Sequence, residues 1–268
     1  MDNRTGKEAL VEPRLNRLFA ADGNCFKIAL DHAFFNEYEL LEGVRDIDSL
    51  IDLVIDTGKV DALLLSFGNA RRLQSRRGAA KPALVVRADV SNLYAPKKPT
   101  FVYSRYLKDA VERALRLDAA AVLFNFFFVR EDPTIHDQCI RNICEPRAEC
   151  ERYGMPLIAE PLVLELDQKN GRYALSDDPK LLLPLHRQAA ELGVDVIKAD
   201  PIDNIESFAE AVELTRGIPL LPRGGSKVGA EEILKRTYRM LQAGARGVVY
   251  GRNIFQSPDV PAMIDAVH

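Results

Sequence analysis

The sequence predicts an α/β fold: a (β/α)8 TIM barrel with an N-terminal helix. Three observations carry that expectation. Short apolar runs recur eight times along 268 residues, separated by amphipathic stretches of helical spacing. Strand–helix alternation of this kind builds a parallel sheet. The length suits one closed barrel, so residues 1–268 read as a single domain. Neither a Gly-x-Gly-x-x-Gly string after the first strand nor a Walker loop is present, which disfavours an open nucleotide-binding sheet.

Taken in order, residues 1–12 read as a loose lead-in. Pro13–Ala21 has Leu15, Leu18 and Phe19 at helical spacing, and Asp22-Gly23 ends that helix. Cys25–His32 is an apolar strand with a polar end. Ile47–Thr57 is an amphipathic helix, Val60–Phe67 a strand and Gly68–Leu73 a short helix. Pro82–Asp89 is the third strand. Leu107–Leu117 (helix), Ala119–Phe127 (strand), Thr134–Arg152 (helix) and Met155–Val163 (strand) continue the alternation. Lys180–Leu192 is a helix and Val194–Asp200 the sixth strand. Ser207–Arg216, Ala230–Ala243 and Pro258–Val267 are helices around the strands Ile218–Gly225 and Ala245–Arg252. Two segments stand outside the repeat, Phe34–Gly43 and Leu166–Asp178, the second reading as a hairpin or mobile loop. Both follow strand C-termini, the face where barrels of this kind carry their active sites.

Composition narrows the function. The net charge of −3 points away from nucleic acid and from an anionic membrane surface. No run approaches the roughly 20 apolar residues of a membrane span. The polar start, Met1-Asp-Asn-Arg-Thr, lacks the apolar core of a signal peptide, so a cytoplasmic protein is expected. Cys139, Cys144 and Cys150 lie close together, but their spacing matches no common zinc pattern, and the four histidines are scattered. Neither a metal nor a cofactor is expected.

Chemistry is therefore expected at the strand ends. Side chains alternate between the faces of a strand. Lys27, Ala29 and Asp31 share one face, as do Arg87 and Asp89, Ile158 and Glu160, and Val194, Val196 and Lys198. If these faces point inward, Asp31, Arg87, Asp89, Asn125, Glu160 and Lys198 form a ring. The alternative is a buried ion-pair network that merely fills the barrel. Lys198 is the awkward member, because a buried ammonium is costly unless it is paired or gives up its charge. Gly224-Gly225-Ser226-Lys227 and Gly251-Arg252-Asn253 follow the last two strands. Those loops commonly bind phosphate in this architecture, where glycine lets backbone amides approach a ligand and Arg252 adds a fork of donors.

Four strings, Ala29-Leu-Asp-His32, Val194-Asp-Val-Ile-Lys-Ala-Asp200, Arg223-Gly-Gly-Ser-Lys227 and Gly251-Arg-Asn-Ile-Phe-Gln256, together resemble the lysine-dependent class I aldolases of the archaeal fructose-bisphosphate and deoxyribose-phosphate aldolase group. The resemblance runs from about Arg14 to the C-terminus. It implies that Lys198 forms a Schiff base, that Asp31 is a catalytic carboxylate, and that Gly224, Gly225, Ser226, Gly251 and Arg252 hold a substrate phosphate. Arg87, Asp89 and Asn125 complete the expected substrate-binding set. The strand-five tyrosine of the fructose-bisphosphate enzymes falls on Leu162 here, while Glu160 keeps the inward parity. That is more similar to the tagatose-bisphosphate and sulfofructose-phosphate branch and makes Glu160 the third catalytic candidate. The expected activity is cleavage or formation of a C–C bond in a phosphorylated ketose, by a homo-oligomer. The rivals are an acyl-transferring or condensing relative and a non-catalytic metabolite-sensing barrel. Among the other lysines, Lys27 is inward but deeper, and Lys227 sits in the phosphate loop.

Overall fold

The computed structural model describes residues 13–35, 41–78, 80–202 and 204–268. The expected lead-in at 1–12 and part of the expected loop Phe34–Gly43 lie outside these residues.

The chain alternates as expected. In order it forms β1 (Cys25–Ala29), α1 (Ile47–Thr57), β2 (Ala62–Leu65), α2 (Phe67–Gln74), β3 (Ala83–Arg87), β4 (Asp89–Ser91), β5 (Ser104–Tyr106), α3 (Ala110–Arg116), β6 (Ala121–Val129) and α4 (Pro133–Tyr153). It continues with β7 (Leu157–Asp167), β8 (Arg172–Ser176), α5 (Pro179–Glu191), β9 (Val196–Ile197), α6 (Ile205–Leu214), α7 (Ala230–Gln242), β10 (Gly247–Tyr250), α8 (Arg252–Phe255) and α9 (Val260–Val267). Short polar side chains start several helices by accepting the first free amides: Asp46 from Ser49, Asp178 from Lys180, and Asn204 from Glu206 and Ser207.

The result is a curled, mostly parallel sheet wrapped by helices. β10, β1, β2, β3, β6 and β7 pair in parallel, and β9 pairs with the other edge of β7. Beyond β9 the segment 219–223 carries isolated parallel bridges, Ile197 to Leu220 and Arg223 to Val249. Backbone bonds Leu221 N to Ile197 O (2.8 Å) and Val249 N to Pro222 O (2.9 Å) lead the pairing back to β10. Pro219 and Pro222 have no N–H and serve as acceptors alone, which is why an expected strand appears as bridges.

Two hydrophobic layers follow from strand parity. Ile28, Leu63, Leu84 and Val122 face the helices, and Ala29, Leu64, Val85 and Leu123 face the interior. The expected N-terminal helix is corrected: Leu15–Leu18 is a single 3-10 turn. Only Phe19, Ala20 and Ala21 separate it from the Asp22-Gly23 turn that leads into β1, too few for a stable α-helix. Leu18 nevertheless buries fully against the interior layer. The expected hairpin or loop at Leu166–Asp178 is a hairpin. β7 runs on to Asp167, whose carboxylate accepts from Lys169 N and Asn170 N, and Gly171 (φ 62°) turns the chain into antiparallel β8. The antiparallel ribbon of β4 and β5 carries no signal in the hydrophobic pattern. Among the described residues, no helix is long and apolar enough to cross a membrane.

Candidate active site

Arg87, at the end of β3, ties the strand ends together. It is 1% exposed. Its Nε donates to Asp31 Oδ2 (2.8 Å), its Nη2 donates to Glu160 Oε2 (2.6 Å), and its Nη1 lies 3.7 Å from Asp89 Oδ1. The other Glu160 oxygen, Oε1, is 2.8 Å from Lys198 Nζ. Asn125 donates from Nδ2 (3.1 Å) and from its backbone N (2.9 Å) to Asp89 Oδ2. All six residues of the expected ring therefore belong to one network. The register explains it: Asn125 is opposite Glu160 across β6 and β7, and Lys198 N bonds Ala159 O beside Glu160.

The electrostatics sort these groups into roles. Burial alone would push the Glu160 carboxyl up, but the Lys198 ammonium and the Arg87 guanidinium outweigh it and hold it at about 2. Asp89, fully buried and only partly offset by Arg87 and Asn125, is pushed up to about 7. Burial likewise raises Asp200 to about 6 against its partner Arg223, whose Nη2 is 2.7 Å away. His32, half-buried in the cavity wall with its ring against Gly251 and edge-on to Phe255 at 5.0 Å, is pushed down to about 4 by desolvation and stays neutral at pH 7.

A cavity of about 230 Å³ opens over this network at the C-terminal strand ends. Lys198, Glu160, Asp31 and Arg87 line it, together with Gly224, Gly225, Ser226, Gly251 and Arg252. Asp89 and Asn125 are not among its lining residues. Both are fully buried, and they brace Arg87 from behind.

The glycine loops are held chiefly by Asn253, with Arg252 beside it. Asn253 Nδ2 donates to Gly224 O (3.0 Å) and Ser226 O (3.2 Å), and Asn253 Oδ1 accepts from Val228 N (3.0 Å). Arg252 Nη2 donates to Gly225 O (2.9 Å). Gly225 has φ +66°, a conformation that suits glycine, and a Cβ on Gly251 would lie 2.3 Å from the His32 ring. The other lysines lie elsewhere. Lys27 is fully buried, its amine without a hydrogen-bond partner among the described residues, and Lys227 donates to Gln256 O; neither lines the cavity.

Sequence reasoning missed several wall residues. Arg223 was legible as a strand-end residue but not as part of the site, which it lines while paired to Asp200. Tyr94 enters from the loop after β4, and Arg172 and Tyr173 enter from the β8 hairpin. A loop residue that reaches a cavity by tertiary folding leaves no periodic signal.

Comparison with known proteins agrees with this architecture. A crystal structure of an archaeal fructose 1,6-bisphosphate aldolase superposes with a TM-score of 0.76 at 23% identity, covering 96% of each chain. The fructose-bisphosphate aldolase of Slackia heliotrinireducens gives 0.69 at 18% identity, over 90% of this chain and 78% of that one. In sequence, an uncharacterised aldolase of Saccharolobus solfataricus is 27% identical over 263 residues, 96% of this chain and 92% of its own. The 3-hydroxy-5-phosphonooxypentane-2,4-dione thiolase of Yersinia pestis is 31% identical over 259 residues, 96% of this chain and 81% of its own. The model of the DeoC/LacD family aldolases matches residues 25–257, and the chain belongs to that family.

Proposed function

We propose that this (β/α)8 barrel is a class I aldolase that cleaves or forms a C–C bond in a phosphorylated ketose through a Schiff base on Lys198. One observation carries the reading: Lys198 lines the cavity, 6% exposed, with its Nζ 2.8 Å from Glu160 Oε1. As a free amine, Lys198 attacks the substrate ketone. The carbinolamine loses water, and the resulting iminium accepts the electron pair of the breaking C–C bond. Glu160 touches the amine and serves the proton transfers of carbinolamine formation and dehydration. Asp31, held by Arg87, accepts hydrogen bonds from substrate hydroxyls. Gly225, Ser226 and Arg252 hold the phosphate and so set which carbon meets the amine. Borohydride in the presence of ketose phosphates is expected to trap an adduct that mass mapping places on Lys198, and Lys198→Ala is expected to abolish it. An adduct on Lys27 or Lys227 instead would sink the assignment.

A second reading is acyl transfer, favoured by the 31% identity to a protein named a thiolase. Product analysis separates the two: an acyl-coenzyme A formed from a phosphorylated diketone in the presence of coenzyme A marks transfer, and a free aldehyde marks aldol cleavage.

A further inference from the structure

The carboxylates that line the cavity beside Lys198 are both committed to cations. Asp31 accepts from Arg87 Nε at 2.8 Å. Glu160 lies between Arg87 and Lys198 at 2.6 and 2.8 Å. Both therefore present occupied acceptor oxygens to the cavity, and Glu160 gives a proton only after taking one from the Lys198 amine beside it. Bond formation nevertheless needs a donor, because the attacked carbonyl oxygen gains an electron pair and must be protonated. His32, half-buried in the same wall and neutral, has its ring packed on Gly251 and Phe255, on the side of the glycine loops.

Among the described residues, the wall carries three neutral O–H groups: Ser226 belongs to the glycine loop tied by Asn253, Tyr173 lies on the hairpin under Lys98, and Tyr94 is the one that feels the Glu160 charge. It lines the same cavity as Lys198, Glu160 and Arg223. Its ring is fixed by Phe35, with centroids 4.7 Å apart, and by Phe127, edge-on at 5.9 Å. Its loop is tied at both sides. Asn92 donates to Phe101 O (2.8 Å) and accepts from Tyr103 N (3.0 Å), and Lys98 N donates to Gly171 O of the hairpin (2.7 Å). Leu93, beside it, is buried and anchors the turn. A phenol held this firmly is preorganised for one position in the cavity. Burial and the Glu160 charge push it well above its ordinary value, which keeps its proton in place at neutral pH.

We propose that Tyr94 is a catalytic residue, the acid that protonates the oxygen formed when the new C–C bond closes. This rests on the aldolase reading above. The enamine carbon on Lys198 attacks the aldehyde carbon, and the C–C bond forms. The C=O π pair moves onto oxygen, and that oxygen takes the Tyr94 Oη proton. The tyrosinate left behind is reprotonated from solvent.

The test is Tyr94→Phe, which keeps the ring between Phe35 and Phe127 and removes one oxygen. Dihydroxyacetone phosphate with borohydride reads imine formation, and dihydroxyacetone phosphate with glyceraldehyde 3-phosphate reads bond formation. The expected result is an unchanged trapped adduct with condensation slowed about 100-fold, the low end of what general acid–base catalysis contributes. Unchanged condensation overturns the role of Tyr94 and leaves the aldolase reading intact. Loss of the trapped adduct together with condensation also overturns it, because the phenol would then act in binding or folding. A wild-type chain that traps the phosphate but makes no C–C bond removes the step Tyr94 is assigned to. A wild-type chain that traps nothing overturns the aldolase reading and Tyr94 with it.

Discussion

Arg87 and Glu160 share a 2.6 Å contact between Nη2 and Oε2, with both side chains almost wholly out of water. Glu160 spends its second oxygen on Lys198, and Arg87 its second face on Asp31. Arg87 and Glu160 are thus each balanced on two sides. Removing a single member leaves a buried charge uncompensated, which costs far more than the intact pair contributes.

Arg87→Met and Glu160→Leu are each expected to destabilise the chain by about 3–5 kcal/mol in urea titrations. The double variant should be more stable than the sum of the two losses predicts, because it removes both ends of one contact. Additive losses would show that the two side chains are energetically independent.

Acid should act on the same contact. Glu160 sits at about 2 in the folded chain against an ordinary 4.5. Its stabilisation is complete above about 4.5 and is lost as the pH falls through about 2. Asp89 works the other way. Its folded value of about 7 against 3.8 means the native chain holds a proton the unfolded chain releases, so this group erodes stability as the pH rises through that window. Thermal melts of Glu160→Gln between about pH 2 and pH 5 should show a shallower acid limb than wild type. A limb of equal slope would place the acid sensitivity elsewhere.

Much of this site was legible before any coordinates. The parity of Asp31, Arg87, Glu160 and Lys198 on apolar strands is a local property, and it correctly placed all four on the interior side. What escaped was not local. Tyr94 comes from a ribbon of two three-residue strands, β4 and β5, too short to show a period. The expected strand over Ile218–Gly225 is broken by Pro219 and Pro222, whose missing donors reduce it to bridges. The N-terminal turn keeps the apolar spacing of a helix because Leu18 must reach the interior, yet it has too few residues to complete one. Asp89 and Asn125 share the parity of the site yet stay out of the cavity wall: Asn125 is level with Glu160 in the register, but its side chain is spent on Asp89, and parity alone does not show which partner a side chain turns to.

Gly251→Ala should separate packing from ligand binding in the glycine loops. The added Cβ would lie 2.3 Å from His32 Cε1 and 2.7 Å from Nε2, in a ring already held by Phe255. Overpacking of this kind costs about 1–3 kcal/mol. His32→Ala in the same chain should restore most of that loss, read as a recovered melting temperature. A Gly251→Ala protein as stable as wild type would mean that His32 is free to move aside.

Lys27 is the one interior amine that the proposed chemistry does not use. It is fully buried on β1, paired in register with Val249 and Ala62, and its Nζ has no hydrogen-bond partner among the described residues. Burial pushes it down to about 8 from an ordinary 10.5, and the neighbouring charges of Lys198 and Arg87 add to the shift. The unfolded chain therefore binds a proton more readily than the native one between those values, so stability should rise with pH across that window. Below it the native chain carries the whole cost of a desolvated ammonium, on the order of 3 kcal/mol for a shift of this size. Lys27→Met fills the same space without charge. It should stabilise the chain by about that amount at pH 7 and by much less near pH 10, while borohydride trapping on Lys198 persists. A Lys27→Met protein equally stabilised at both pH values would show that packing, not the buried charge, governs this position.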